Sequence, residues 1–298
     1  MTNTCAAQAA DQMAQESQSP VIFDRQLLRA RRARATRLGP ATFLLDRVAD
    51  DLAERLSAVL RKFELAADLG TPTDAVKRAL AGRVGSIVDV VGDDEALPFR
   101  DGSLDLVVSA LALQFVNDLP GTLVQIRRAL KPDGLFLAAL IGGESLTELR
   151  QAFAAAEAEV DGGASPRVAP FADLRDLGAL LQRAGFALPV TDVDRLTVRY
   201  ATPLALMHDL RRMGAANAMV ERRRVPLKRA TMKRMMKIYG ERFGDADGRV
   251  PATFEIVWLS GWAPHSSQQQ PLAPGSAKTR LADALGAREI SAGEKAGD

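Results

Sequence analysis

The sequence predicts an α/β protein built on a doubly wound, mostly parallel sheet. Two short runs, Leu104–Ser109 and Leu135–Ile141, are apolar on both faces, as strands buried inside a parallel sheet must be. Between them Leu119, Leu123, Ile126 and Leu130 step by four, three and four residues, the period of a helix with one buried face. Strands that alternate with helices in this way build a sheet covered by helices on both sides.

The elements follow in order. Residues 1–20 are rich in Ala, Gln and Ser without periodicity and are expected to form a disordered leader. From Ile22 to about Phe63 the pattern is helical, with Leu44, Leu45, Val48, Leu52 and Leu56 on one face. Leu65–Leu69 is the first strand, closing on Asp68-Leu69-Gly70, and Ser86–Val91 is the second. After the third strand, the helix over Leu119–Leu130 carries Pro120 in its first turn, and Lys131-Pro132-Asp133-Gly134 stops it. A helix over 144–159 comes next, then a loop containing Gly and Pro. Asp173 and Gly185 bracket another helix, with Leu174, Leu177, Leu180 and Leu181 inward. Residues 203–240 break the rhythm with two successive helices whose methionines, at helical spacing, read as core filler. Thr253–Leu259 is the last strand, ending in Gly261-Trp262. The expected division is a leader over 1–20, one domain over 21–262 and a flexible tail over 263–298. The domain contains N-terminal helices over 21–63 and a helical insert over 203–250.

Composition removes several functions. Net charge is +2, from 39 basic and 37 acidic residues, so bulk electrostatics give no pull toward nucleic acid. The basic residues do cluster, in one run from Arg25 to Arg37 and another from Arg222 to Lys237. Such runs read as solvated helix faces, or as a docking surface for an acidic protein partner. Aromatic residues are not interleaved with them, so base-stacking platforms are not expected. Cys5 is the single cysteine, which excludes an intrachain disulfide and a multi-thiolate zinc site. No apolar run reaches the roughly 20 residues needed to span a bilayer, and no signal-peptide pattern is present. The expectation is a cytoplasmic protein. His208 and His265 lie in different regions with no ligand at metal spacing beyond Asp209, and the glycine patterns of a phosphate loop or a nucleophile elbow are missing.

Certain segments carry a resemblance. Asp68-Leu69-Gly70, the run Gly92-Asp93-Asp94-Glu95-Ala96-Leu97-Pro98-Phe99, the strand Leu104–Ser109 and Leu130-Lys131-Pro132-Asp133-Gly134 resemble class I S-adenosylmethionine-dependent methyltransferases. Phe23-Asp24-Arg25, the segment Phe115–Pro120, the segment Gly142–Arg150 and Gly261-Trp262 are similar to one branch of that superfamily. The branch holds the mitochondrial complex I assembly factor of methyltransferase fold and its alphaproteobacterial relatives, and is related to the malonyl-carrier-protein methyltransferase of biotin synthesis. The resemblance implies a Rossmann-like fold, S-adenosylmethionine as cofactor, and either methyl transfer or the arginine hydroxylation of the mitochondrial branch. It also implies a protein substrate or partner belonging to respiratory complex I, and a place peripheral to the inner membrane. By the same resemblance, Asp68 and Gly70 form the first cofactor element, Asp93 the adenine-side carboxylate, and Asp94 the adjoining backbone. Ser109 and Ala110 lie under the sulfonium, at the end of the strand where open α/β sheets place ligands. No catalytic residue is assigned.

Two departures bear on the cofactor. Gly70 is followed by Thr71-Pro72-Thr73-Asp74 with no second glycine; Pro72 has no amide to donate and Asp74 adds negative charge. The segment reads equally as a cofactor loop or as a plain helix N-terminus capped by Thr73 or Asp74. The interval from Thr71 to Gly92 is also too short for two crossovers, each needing at least about 12 residues, with a strand of about 5 between them. One crossover is therefore expected, with the strand near Ser86–Val91 directly beside Leu65–Leu69. The strand that supplies a ribose-binding acid would then be lost or merged, leaving Asp89 either in that role or pointing away from the crevice. The alternative to an enzyme is a degenerate fold kept as a protein-binding assembly factor, with weak or lost cofactor binding.

Overall fold

The protein, seen in a computed structural model, is described over residues 21–90, 96–269, 276, 279 and 281–288. The chain divides into two units, Met1–Pro264 and His265–Asp298. In the first unit α1 spans Arg25–Leu38 and α2 Phe43–Ser57, followed by β1 (Phe63–Leu69), α3 (Ala75–Ala79), β2 (Val84–Val90) and β3 (Leu104–Ala110). Then come α4 (Leu119–Ala129), β4 (Leu130–Ile141), α5 (Thr147–Asp161), α6 (Leu174–Arg183), β5 (Ala187–Tyr200), α7 (Pro203–Arg212), α8 (Arg229–Phe243) and β6 (Val250–Trp262). The described part of the second unit contains one short helix, α9 (Leu281–Leu285).

The six strands lie in the order β2-β1-β3-β4-β6-β5. The first four run parallel, whereas β6 is antiparallel to both β4 and β5. The sheet is thus mostly parallel, as expected. The length argument also holds at its first half: β2 pairs directly with β1, Asp68 opposite Asp89, and α3 is the one helix between them.

Period-two alternation in β3 explains why both faces are covered. Leu106, Val108 and Ala110 enter the core shared with α2, α5 and α8, while Val107 enters the core shared with α4 and α6; Leu104, before the register shift, joins Val107's side. The five apolar positions read on the N-terminal helical face are all buried on α2, from Leu45 at 7% exposure to Leu52 at 0%. Removing each such leucine from water contributes about 1.5–3 kcal/mol. Asp118 caps α4 by accepting from the Gly121 amide at 3.0 Å, and Leu123 and Ile126 form its buried stripe.

One expectation changes, and one strand carries no signal in the sequence. Lys131-Pro132-Asp133-Gly134 does not separate α4 from the strand: it is a bulge inside β4, whose pairing slips between Leu104↔Leu130 and Leu106↔Leu135. Asp133 takes φ +63 there, a left-handed backbone that Asp tolerates. The edge strand β5 has no apolar run to announce it, because its exposed face alternates with a half-buried one. The antiparallel setting of β6 and β5 makes this end of the sheet mixed. Gly261 has a packing reason: a Cβ there would collide with Phe186, whose ring stacks on Phe136 at 5.4 Å.

Candidate functional site

The loops after β1, β3 and β4 surround a cavity of about 380 Å³ at the carboxyl ends of the parallel strands. Pro72, Thr73 and Asp74 wall it on one side, Leu111, Gln114 and Phe115 on another, and Ile141 and Leu146 on a third. The turn between α1 and α2 closes one flank, and Leu210, together with Arg212–Ala215 at the end of α7, another. This is the crevice in which open α/β sheets hold ligands. The helical insert contributes to it unequally. The end of α7 faces the cavity, but α8 packs beside α5 on one face of the sheet, burying Met235, Ile238 and Tyr239. Tyr239 donates its hydroxyl to the Pro251 carbonyl at 2.7 Å, fastening α8 to β6. The insert thus supplies one helix whose end caps the cavity and one that flanks the sheet.

The residues expected to hold a cofactor lie behind this cavity rather than in its wall. Asp68, at the end of β1, is 4% exposed. Burial pushes its carboxyl up to about 7; hydrogen bonds from Thr71 oppose the shift and the facing Asp89 adds to it. The Thr71 hydroxyl donates to Asp68 Oδ1 at 2.5 Å and accepts from the Ala110 amide at 3.2 Å. Gly70 sits at φ +71, the turn only glycine makes without strain, and its amide donates to the Val90 carbonyl at 3.0 Å. Ser109 is fully buried and donates to the Leu69 carbonyl at 2.7 Å. Asp68, Gly70, Ser109 and Ala110 are thus brought together, around Thr71. Asp93 and Asp94 lie outside the described residues.

An adenosyl cofactor needs free donors and close backbone approach at this loop. The described residues do not fit that need. The Gly70 amide is bonded to β2, the Ala110 amide to Thr71, and Pro72 has none. Thr73 Oγ1 accepts from the Ala75 amide at 3.2 Å, so Thr73 rather than Asp74 caps α3, while Asp74 pairs with Arg78 at 2.5 Å. Asp89 is 45% exposed and pairs with Lys77 at 3.5 Å. Each of these named groups already has a partner within the chain. Among the described residues, no three His, Cys, Asp or Glu side chains are grouped to hold a metal ion. Nor is any helix among them long and apolar enough to cross a membrane.

Two of the segments that carry the resemblance reach the cavity wall, through Phe115 and through Ser145 and Leu146, whereas Gly261-Trp262 pairs with Phe136 and Leu135 away from it. Asn117 Oδ1 accepts from the amides of Phe23 at 2.7 Å and Ile22 at 2.9 Å, and its Nδ2 donates to the Phe23 carbonyl. Phe23 and Phe115 then pack edge to face, 5.5 Å apart. Asp24 caps α1 through the Leu27 amide and pairs with Arg222 at 3.2 Å. In the Gly142–Arg150 segment, buried Glu148 takes both the amide and the hydroxyl of Thr253, at 3.1 and 2.5 Å. Ser145 Oγ donates to the Glu255 carbonyl and accepts from the Glu255 amide, and Arg150 Nη2 donates to the carbonyls of Gly143 and Ser145. This segment bolts the end of β4 to β6.

Sequence reasoning missed two features. Thr71 was visible only as a departure, not as the hub of the loop. The two basic runs read as solvated faces or as a docking surface for an acidic partner, not as the wall of a cavity, yet Arg31, Arg222 and Arg223 line a second cavity of about 330 Å³. It shares Phe115, Leu146, Phe171 and Leu210 with the first. The separation of Arg31 and Arg222 by more than half the chain hides this convergence from any local pattern.

Comparison with known proteins agrees with this architecture. Residues 49–138 match the methyltransferase domain family. The chain is 38% identical over 286 residues to the Danio rerio protein named arginine-hydroxylase NDUFAF5, mitochondrial, covering 88% of this chain and 89% of that one. It is 39% identical over 280 residues to the Homo sapiens protein of the same name, covering 86% and 81%. A malonyl-[acyl-carrier protein] O-methyltransferase of Laribacter hongkongensis is 41% identical over 186 residues, covering 62% and 60%. Coverage on this scale, with the class I methyltransferase fold beneath it, places the chain in the family of the NDUFAF5 arginine hydroxylases.

Proposed function

We propose that this chain serves as a protein-binding assembly factor of its family, with the ordinary adenosyl-cofactor site disabled. The observation that supports it is the Thr71 hydroxyl, which uses both the Asp68 carboxylate and the Ala110 amide. Asp68, Gly70, Ser109 and Ala110 then act as a structural knot, and Asp93 and Asp94 have no cofactor to hold. The partner is a subunit of respiratory complex I, by analogy with the mitochondrial relatives. The site of action is cytoplasmic, at the membrane face where such a complex assembles. Residues 21–262 form the working domain, and residues 263–298 a tail.

Complementation tests the reading. In a host lacking its own family member, the wild type and Asp93→Ala should restore assembled complex I equally, read on a native gel. If Asp93→Ala accumulates to wild-type level yet fails to restore the complex, a cofactor is at work and the assembly-only reading is wrong.

A further inference from the structure

The second cavity holds more positive charge than its surroundings neutralise. Arg31 of α1, Arg167, Arg211 of α7, Arg222 and Arg223 line it, and among the described residues no acidic side chain does. Three of the five are answered from behind. Arg167 pairs with buried Glu157, Arg222 with Asp24 at 3.2 Å, and Arg223 with Asp161 at 3.4 Å. Those acids are themselves engaged: Glu157 also takes the Ser165 amide at 2.7 Å, and Asp161 also takes Lys228 at 2.6 Å. Among the described residues, neither Arg31 nor Arg211 makes a salt bridge.

Arg31 is the telling side chain. Its Nη1 is buried and makes no hydrogen bond among the described residues. Burial lowers its pKa, the like charges of Arg222 and Arg34 act in the same direction, and Asp24 opposes them. A buried, unpaired guanidinium donor is a cost that an anion at this point removes. Apart from Asn217, whose amide is bonded to Pro166 and Met219, the rest of the wall is apolar and includes Leu149, Phe153, Val168, Met207, Leu227 and Met232. Charge on one part of the wall and hydrocarbon on the other select a ligand with the complementary division.

We propose that this cavity binds a small organic anion, with an apolar body against these side chains and a carboxylate head held by Arg31 and Arg211. The inference goes beyond the assembly reading and is independent of the adenosyl cofactor. It has a corollary: a substrate guanidinium entering here meets like charge, so the cavity is not built for an arginine side chain.

The test is calorimetric titration of the full chain with octanoate, with octanamide as its uncharged counterpart, and with inorganic phosphate. Octanoate should bind saturably, octanamide at least about tenfold more weakly, and phosphate more weakly than octanoate. Arg31→Gln and Arg211→Gln should each weaken octanoate by about tenfold or more. Arg211 is exposed, so its variant reads the site without disturbing the core. Any of these results overturns the proposal: no saturable octanoate binding, equal binding of octanoate and octanamide, or wild-type affinity in both Arg211→Gln and a folded Arg31→Gln. Phosphate binding as tightly as octanoate also overturns it, since the apolar wall would then select nothing.

Discussion

The Thr71 hydroxyl links Asp68 to the Ala110 amide, joining the ends of β1 and β3 through one side chain. Replacing it with the isosteric Val removes both bonds and leaves two buried polar groups without that partner. Thr71→Val should lower unfolding stability by about 1–3 kcal/mol, measured by urea denaturation at neutral pH. A variant as stable as wild type would show that the hydroxyl holds nothing together.

Asp68 also predicts a pH dependence. Its carboxyl lies at about 7 in the folded chain, and returns toward the ordinary 3.8 on unfolding. Between these values the folded chain holds a proton that the unfolded chain releases. The resulting stability is fully present below pH 3.8 and is lost as pH rises through 7. Asp68→Asn removes this titration. From pH 4.5 to 8 the wild type should lose stability relative to the variant by roughly 1–4 kcal/mol. Parallel stability curves would mean that Asp68 titrates normally.

Glu148 gives a prediction free of the cofactor question. Its buried carboxylate receives two bonds from Thr253, so Glu148→Ala should cost about 2–4 kcal/mol by loss of a charge-assisted pair and exposure of its partners. Thermal unfolding of the full chain measures it. A loss below about 0.5 kcal/mol would return the segment to a surface role.

Asn117 holds the entry to α1. In Asn117→Ala the amides of Ile22 and Phe23 lose their acceptor, and hydrogen exchange at these two positions should accelerate at least about tenfold, while β3 is unchanged. Acceleration spread across β3 as well would point to global destabilisation instead.

The parts of this fold legible in the sequence are those governed by local period or by chain length. Leu104–Ser109 and Leu135–Ile141 announce themselves because strands buried on both faces need no polar alternation. The single crossover between β1 and β2 follows from the short interval after Gly70. By contrast, β5 carries Asp192, Asp194, Arg195 and Arg199 on an edge, where exposure dilutes the apolar signal. Glu148 lies in a helical stretch where nothing local shows that Thr253 will fold against it. Thr71 bonds the nearby Asp68 but also Ala110, 39 residues on, and the cavity lined by Arg31 is assembled from elements far away in the chain.

The central claim is that the loop after β1 no longer holds an adenosyl cofactor. Loss of two charge-assisted bonds weakens binding by roughly 10²- to 10⁴-fold, which carries a micromolar site toward the millimolar range. Calorimetric titration of the full chain with S-adenosylmethionine, and with S-adenosylhomocysteine alongside, measures this directly. The expected result is no saturable binding below about 1 mM, with Asp93→Ala indistinguishable from wild type. A micromolar constant that Asp93→Ala abolishes would contradict the account and return the chain to the enzymes of its fold.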